Sequence, residues 1–256
     1  MVGYWPRMDS LFSPEHFHLL PEVDSTNAEI KRRLQQEGEL PRGYAVQALY
    51  QTSGRGQLGQ SWLAENGKNL LLSFWLPAPN LKPRQSFLLN MSVCLALHDF
   101  LATFGRDFRI KWPNDLVRLG YKYAGVLIEN QIQGPRLQGS IIGLGVNINQ
   151  RQFPLPQAAS LWQILGKEVP LTEARALLGH LLQERLAYLN KGQWIALKRA
   201  FLERLHGFSE EIAVREQEGA WQAGLVKDIH PGGELEFCFR NGQHKVYRFK
   251  QIEQAF

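Results

Sequence analysis

Cysteine is scarce in this chain of 256 residues: Cys94 and Cys238 are its only two, 144 positions apart. They make neither a disulfide framework nor a metal box. The seven histidines show no metal-ligand spacing, and no serine stands in a nucleophile elbow. Metalloenzyme and triad-hydrolase readings therefore find no support. Long apolar runs are missing as well: the longest, such as residues 69–76, fall far short of the ~20 residues a membrane span requires. The opening MVGYWPRMDS lacks the basic start and apolar core of a secretory signal. Together these absences predict a reducing compartment, the cytoplasm, and no membrane contact. Neither a repeat nor a low-complexity segment is visible.

What is present describes a folded chain. Hydrophobic residues make up 44% and charged residues 21%, close to the globular average, which excludes wholesale disorder. Lys plus Arg number 29 against 24 Asp plus Glu, a net +5. The densest basic cluster, Lys31-Arg32-Arg33, falls inside an amphipathic pattern and is explained by a solvated helix face. The remaining excess suits a phosphate-bearing substrate.

Asp24-Ser25-Thr26 predicts a helix start, with Glu29 in the first turns and Gly38 as the stop. Residues 44–49 and 69–76 read as strands, with a glycine-rich loop over 51–67 between them. Residues 86–104 are apolar at helical spacing and predict a core helix. Strand-like runs follow at 108–111, 122–132 and 137–149, the last two joined at Gly134-Pro135. Residues 172–204 predict two helices broken near 190–192. From about Gly207 the pattern changes to short strands over 211–215, 220–229, 234–240 and 243–249, with Asn241-Gly242 as a hairpin turn. The reading is an α+β protein: a mixed β-sheet with flanking helices over 1–206, then a small C-terminal β-barrel over 207–256.

Four segments carry candidate chemistry. In Gln51-Thr-Ser-Gly54-Arg55-Gly56-Gln57-Leu58-Gly59-Gln60-Ser61-Trp62, the glycines let a backbone approach an anion, and Arg55 offers a fork of donors to phosphate or carboxylate. The Gly54-x-Gly56-x-x-Gly59 spacing also satisfies a dinucleotide fingerprint, but no helix is predicted after it. In Lys111-Trp112-Pro113-Asn114-Asp115, Lys111 can neutralise phosphate and Asp115 can accept hydrogen bonds or hold Mg²⁺. Lys122 opens an apolar strand, and Gly125 within it permits close approach of a flat substrate. In Gly143-Leu-Gly145-Val-Asn147-Ile-Asn149, glycines and amides interrupt a strand pattern. Read singly, each segment is equally consistent with a plain hairpin, turn or strand.

In this order, however, the segments resemble the biotin protein ligases, in the monofunctional type. The matching pieces are Asp24-Ser25-Thr26-Asn27, Gly54-Arg55-Gly56-x-x-Gly59 with Trp62, and Lys111-Trp-Pro-Asn-Asp115. Lys122-x-x-Gly125-x-Leu127-x-Glu129 and Gly143-x-Gly145-x-Asn147 complete the set. The resemblance is close over residues 21–149 and loose beyond. It implies a catalytic domain of the class II synthetase-like, biotin–lipoate ligase type. It also implies an ATP-dependent, two-step reaction: biotin is activated as biotinyl-5′-AMP and then passed to a lysine of the biotin carboxyl carrier domain of acetyl-CoA carboxylase or a related carboxylase. Lys122, Arg55, Lys111 and Asp115 would be catalytic, with Asp115 near Mg²⁺ or the incoming amine. Ser25, Thr26, Asn27, Gln51, Gly54, Arg55, Gly56, Lys122, Gly125 and Leu127 would bind biotin. Arg55, Gln57, Trp62, Lys111, Asn114, Asp115 and Asn147 would bind ATP or the adenylate. ATP, biotin and Mg²⁺ come and go; no tightly bound prosthetic group is implied.

Two departures matter. Gln57 stands where many family members carry a basic residue. About twenty residues precede the Asp-Ser-Thr-Asn segment, too few for the DNA-binding domain of repressor-type relatives, so no DNA contact is expected. Oligomeric state stays open, a homodimer being one option. The C-terminal strands are expected to be needed for full activity, and a chain ending near Leu205 is expected to fold without them. The alternatives are a lipoate ligase or octanoyl transferase of the same fold, and a basic module binding nucleic acid through the barrel.

Overall fold

Residues 86–104, apolar on every side, become a helix buried on every side. A computed structural model describes residues 11–77 and 81–255, and in it this segment is α2 (Phe87–Ala102). Preceding it are β1 (Phe17–Val23), α1 (Thr26–Glu37), β2 (Ala45–Gln51) and β3 (Leu70–Pro77). After it come β4 (Arg109–Lys111), β5 (Asp115–Arg118), β6 (Tyr121–Gln133) and β7 (Arg136–Val146). These seven strands form one mixed sheet in the order β1-β2-β3-β7-β6-β5-β4. Only β1 against β2 is parallel; the other pairs are antiparallel.

Strand alternation sorts the two faces. Ala45, Phe74, Ile142 and Val126 point into the main core with α2 and with α4 (Leu171–Asn190) and α5 (Trp194–Arg204). Each fully buried Leu or Phe there contributes about 1.5–3 kcal/mol. On the opposite face Val46, Trp75 and Ile141 pack under Ile30 and Leu34 of α1. Helix α1 covers only one end of that face, over β2, β3 and β7. The remainder, over β5 and β6, is left for the site.

Ser25 caps α1 by position and Gly38 ends it at φ 79°, a left-handed conformation suited to glycine. Lys31-Arg32-Arg33 lies on this helix, where Arg32 pairs with Asp24 and Glu29, and Arg33 with Glu29. The short helix α3 (Leu161–Leu165) precedes α4. Beyond α5, β8 (Ile212–Glu216), β9 (Gln222–Ile229), β10 (Leu235–Phe239), β11 (His244–Tyr247) and β12 (Ile252–Gln254) form an antiparallel sheet ordered β11-β10-β9-β8-β12. It curls in the manner of a barrel: Lys245 Nζ and Tyr247 Oη, both on β11, reach Glu216 Oε1 on β8 at 2.8 and 2.6 Å.

This sheet shares the main core. Phe249 stacks against Trp112 and Phe87 at 5.3 and 6.0 Å between ring centroids, and Trp112 Nε1 donates to the Gly233 carbonyl at 2.8 Å. A chain ending near Leu205, expected to fold without these strands, would leave Trp112 and Phe87 uncovered and so lose stability. Strand β1, strand β5, helix α3 and strand β12 escaped the sequence reading. Both cysteines are free, Cys94 buried and Cys238 partly so. Among the described residues no helix is long and apolar enough to cross a membrane. The first ten residues, on which the signal-peptide expectation rests, lie outside the described residues.

Candidate active site

The register of the sheet lays one row of residues across five strands. Leu71 on β3 pairs with Gly145 on β7, Gly145 with Gly125 on β6, Gly125 with Asp115 on β5, and Asp115 with Lys111 on β4. The next row runs from Ser73 through Gly143 to Leu127. Both rows face the side that α1 leaves open, forming the floor of a cavity of about 800 Å³. Glycines 125 and 145 keep the middle of that floor flat. The group lying on them is the Trp62 indole: a Cβ at Gly145 would run into its ring, and one at Gly125 would crowd it. Gly125 was expected to admit a flat substrate; the flat group against it here belongs to the protein.

Segment 51–62 forms the roof as a small hairpin. Trp62 N–H donates to the Gly54 carbonyl at 2.9 Å, Arg55 and Ser61 form a β-bridge, and a single 3-10 turn at Gln57–Gly59 closes the tip. No α-helix follows, so the dinucleotide fingerprint is excluded. Gly54 is needed for close approach, since a side chain there would meet the Trp62 carbonyl.

One end of the cavity is cationic. Lys122 Nζ lies 2.7 Å from Asp115 Oδ1 and 5.4 Å from the Trp62 ring centroid. Burial pulls the Lys111 ammonium below the ordinary lysine range, with the Asp115 carboxylate pulling the other way. Arg55 lines the same space from the roof. The other end is neutral and polar. There Ser25, Thr26 and Asn27, at the start of α1, line the wall with Gln51. Thr26 N–H and Oγ1 lie 2.8 and 3.1 Å from Gln51 Oε1, and Ser73 Oγ donates to Asn27 Oδ1 at 2.6 Å.

The cavity thus gathers Ser25, Thr26, Asn27, Gln51, Arg55, Gly56, Gln57, Trp62, Lys111, Asn114, Asp115, Lys122, Gly125 and Leu127. Gly54 and Asn147 do not line it. Asn147 sits below the floor, where its Nδ2 donates to the Ala159 carbonyl at 3.0 Å. Asn114 reaches the cavity edge, but its Nδ2 donates to the Val126 carbonyl at 2.5 Å and ties β5 to β6. Trp62 Nε1 and Asn147 Oδ1 are buried without a hydrogen-bond partner. The sequence reading singled out Lys227, Arg240 and Arg248 in the C-terminal strands, whereas the wall they supply includes Arg215, Trp221, Lys250 and Glu253. It also gave no role to Ser73 or Glu129.

Comparison with known proteins places this geometry. A bifunctional ligase/repressor BirA of Salmonella typhimurium is 34% identical over 148 residues, 57% of this chain and 45% of that protein. A biotin–[acetyl-CoA-carboxylase] ligase of Mycobacterium tuberculosis is 26% identical over 226 residues, 85% of this chain and 81% of that one. The solved structure of the Aquifex aeolicus biotin protein ligase in complex with biotin and ATP superposes with a TM-score of 0.72 at 27% identity, covering 93% of this chain and 98% of that chain. The chain spans about half the length of the bifunctional relatives it matches. The model of the biotin/lipoate A/B protein ligase family matches residues 19–147, half of the chain, across both rows of the cavity floor. The chain belongs to the biotin/lipoate A/B protein ligase family.

Proposed function

We propose that this protein activates biotin as biotinyl-5′-AMP and transfers it to a lysine of a biotin carboxyl carrier domain, that of acetyl-CoA carboxylase or a related carboxylase. One observation carries the reading. A single cavity holds Arg55, Lys111 and Lys122 at one end and the neutral groups of Thr26, Asn27 and Gln51 at the other. A carboxylic acid with a polar, uncharged head fits that polarity, with its carboxylate lying among the cations beside a nucleotide phosphate.

A free carboxylate acylates poorly and needs a leaving group. Its oxygen attacks the α-phosphorus of ATP, and pyrophosphate departs. The acceptor amine then attacks the acyl carbon, AMP leaves, and the amine loses a proton. The residues supply position and charge neutralisation. Lys122 stands at the carboxylate–phosphate junction, Arg55 closes over it, and Lys111 holds phosphate charge. Asp115 orients Lys122 and can receive the incoming amine. Trp62, whose ring N–H has no partner, would meet the adenylate, while Asn147, outside the cavity lining, would support the floor through the Ala159 carbonyl.

The donor set suits Mg²⁺ that arrives with the nucleotide. Among the described residues no cluster of three His, Cys, Asp or Glu side chains could hold a metal. Nucleotide phosphates and water would supply most ligands, with Asp115 as the floor carboxylate. When bound, the ion neutralises phosphate charge. Residues 1–206 then serve as the catalytic domain and 207–256 as a C-terminal domain closing its nucleotide end.

A lipoate or octanoate substrate is the second reading, since the family name covers both ligases. The polar end at Thr26, Asn27 and Gln51 disfavours an apolar tail. Incubation with biotin, ATP and Mg²⁺ should release pyrophosphate and yield biotinyl-AMP; a carrier domain should then gain a biotinyl rather than a lipoyl mass. Lys122→Ala should lower adenylate formation ~10²-fold or more while the thermal midpoint moves little. Near-normal pyrophosphate release by that variant would remove Lys122 from the mechanism.

A further inference from the structure

Asn27 lies against β7 at Gly143, where any Cβ would run into its Oδ1. The two ends of its amide meet different partners. Nδ2 donates to Glu129 Oε2 at 2.7 Å, and Oδ1 accepts from Ser73 Oγ at 2.6 Å. Ser73 Oγ is also 2.6 Å from Thr26 Oγ1, which in turn approaches Gln51 Oε1. A polar chain therefore runs Glu129–Asn27–Ser73–Thr26–Gln51. Asn27, Thr26 and Gln51 border the cavity, Ser73 is fully buried, and Glu129 stands behind Asn27.

Every middle member of this chain can both donate and accept, so none of them fixes a direction. An ionised carboxylate only accepts. Glu129 therefore forces the amide nitrogen of Asn27 toward itself and the carbonyl toward Ser73. The single Ser73 proton is then committed to Asn27 Oδ1, which has none of its own. The proton between Ser73 and Thr26 then comes from the Thr26 hydroxyl, which leaves none for the Thr26 Oγ1–Gln51 Oε1 contact. Gln51 is held by its oxygen through the Thr26 N–H, which leaves its Nε2 on the side of Gly54. Glu129 pairs across the strands with Ile141, a member of the apolar cluster under α1. Packing alone would favour an apolar residue at that seam.

We propose that Glu129 is a positioning residue that locks the Asn27 amide and so makes the site selective for a carboxylic acid with a cyclic urea head over one with a hydrocarbon or dithiolane tail. This rests on the reading of the cavity as a biotin-activating site. Glu129 does not touch the substrate; it sets which donors and acceptors Asn27 and Thr26 present to it. Gly143 belongs to the same device, because the amide lies flat only where the strand has no side chain.

The test uses the full chain with Glu129→Leu and Glu129→Gln, following pyrophosphate release with biotin and with lipoate as probes. Glu129→Leu should raise the KM for biotin about tenfold or more, the scale of a buried donor left unpaired. The KM for ATP and kcat should stay close to the parent values, and the unpaired Asn27 amide should lower the thermal midpoint only modestly. Discrimination against lipoate should fall by the same factor. Glu129→Gln keeps an acceptor for Asn27 and should restore most of the biotin affinity. An unchanged KM for biotin in Glu129→Leu overturns the proposal. So does a parallel rise in both KM values with a lowered midpoint, which would make Glu129 a structural residue. A parent protein that ignores biotin would instead sink the functional reading on which the proposal rests.

Discussion

Lys111 holds a charge where the fold disfavours one. Burial lowers its pKa, and the nearby Lys122 charge adds to that effect. The sign follows from linkage: a lysine whose folded value is depressed costs stability wherever it is charged in both states. The penalty is present at neutral pH and shrinks as pH rises through the folded value. Polyphosphate would reverse it. Lys111→Met should therefore keep or raise the thermal midpoint of the ligand-free protein while weakening ATP binding about tenfold or more, the scale of a charge-assisted hydrogen bond. Isothermal titration with ATP and a melting curve measure both; a lowered midpoint with unchanged ATP affinity would make Lys111 an ordinary structural cation. At this scale the sequence was most informative where a residue type has few uses. A lysine, an amide and a carboxylate packed into 111–115 marked one segment as a candidate, and Lys111, Asn114 and Asp115 all reach the cavity. Asn147 shows what pattern alone does not separate: an amide just past a strand serves backbone carbonyls as readily as a ligand. Glu129 was quoted within a motif, yet its partner Asn27 is 102 residues away in sequence.

Among the elements, the roof hairpin at 51–62 is held mainly by backbone hydrogen bonds, and its tip turns at Gln57. Gln57 lines the cavity as a neutral side chain. An arginine there would add a charge-assisted fork for phosphate. Gln57→Arg should slow the escape of preformed adenylate in a chase experiment; equal release rates from variant and parent would show that the hairpin tip does not anchor the intermediate. Long elements were legible in the sequence, since α2 and β6–β7 carry their own apolar pattern. Short ones were not, because their pairing comes from elsewhere. Strand β1 contains Pro21 and no fully buried position, and an edge strand tolerates a missing N–H. Strand β5 has four residues between β4 and β6, and β12 has three paired only to β8. Neither is long enough to show a period.

The whole molecule joins two sheets through one core, and the cavity lies along that junction. Lys250, just before β12, and Glu253, within it, line the cavity together with Lys111 and Asp115. The contacts that close the junction are apolar: Phe249, itself partly exposed, covers the buried Trp112 and Phe87, and buried Leu205 lies beside Ile110 through a parallel bridge. His206 N–H donates to the Ile110 carbonyl at 2.8 Å, which fastens the start of the C-terminal segment to β4 itself. An independent ornament of about 50 residues would bury little surface of its own and unfold first. Here the shared core couples it to the rest. Calorimetry should therefore show a single transition for the full chain, with van't Hoff and calorimetric enthalpies in agreement. Saturating biotin with ATP should move that one transition upward as a unit, since ligand binds the folded state alone. A chain ending near Leu205 should melt well below the full chain and slow both half-reactions, because it loses a cavity wall together with the cover of Trp112. Two resolved transitions in the full chain, or a truncated chain with unchanged single-turnover rates, would show that the C-terminal sheet is a separate domain that the site does not use.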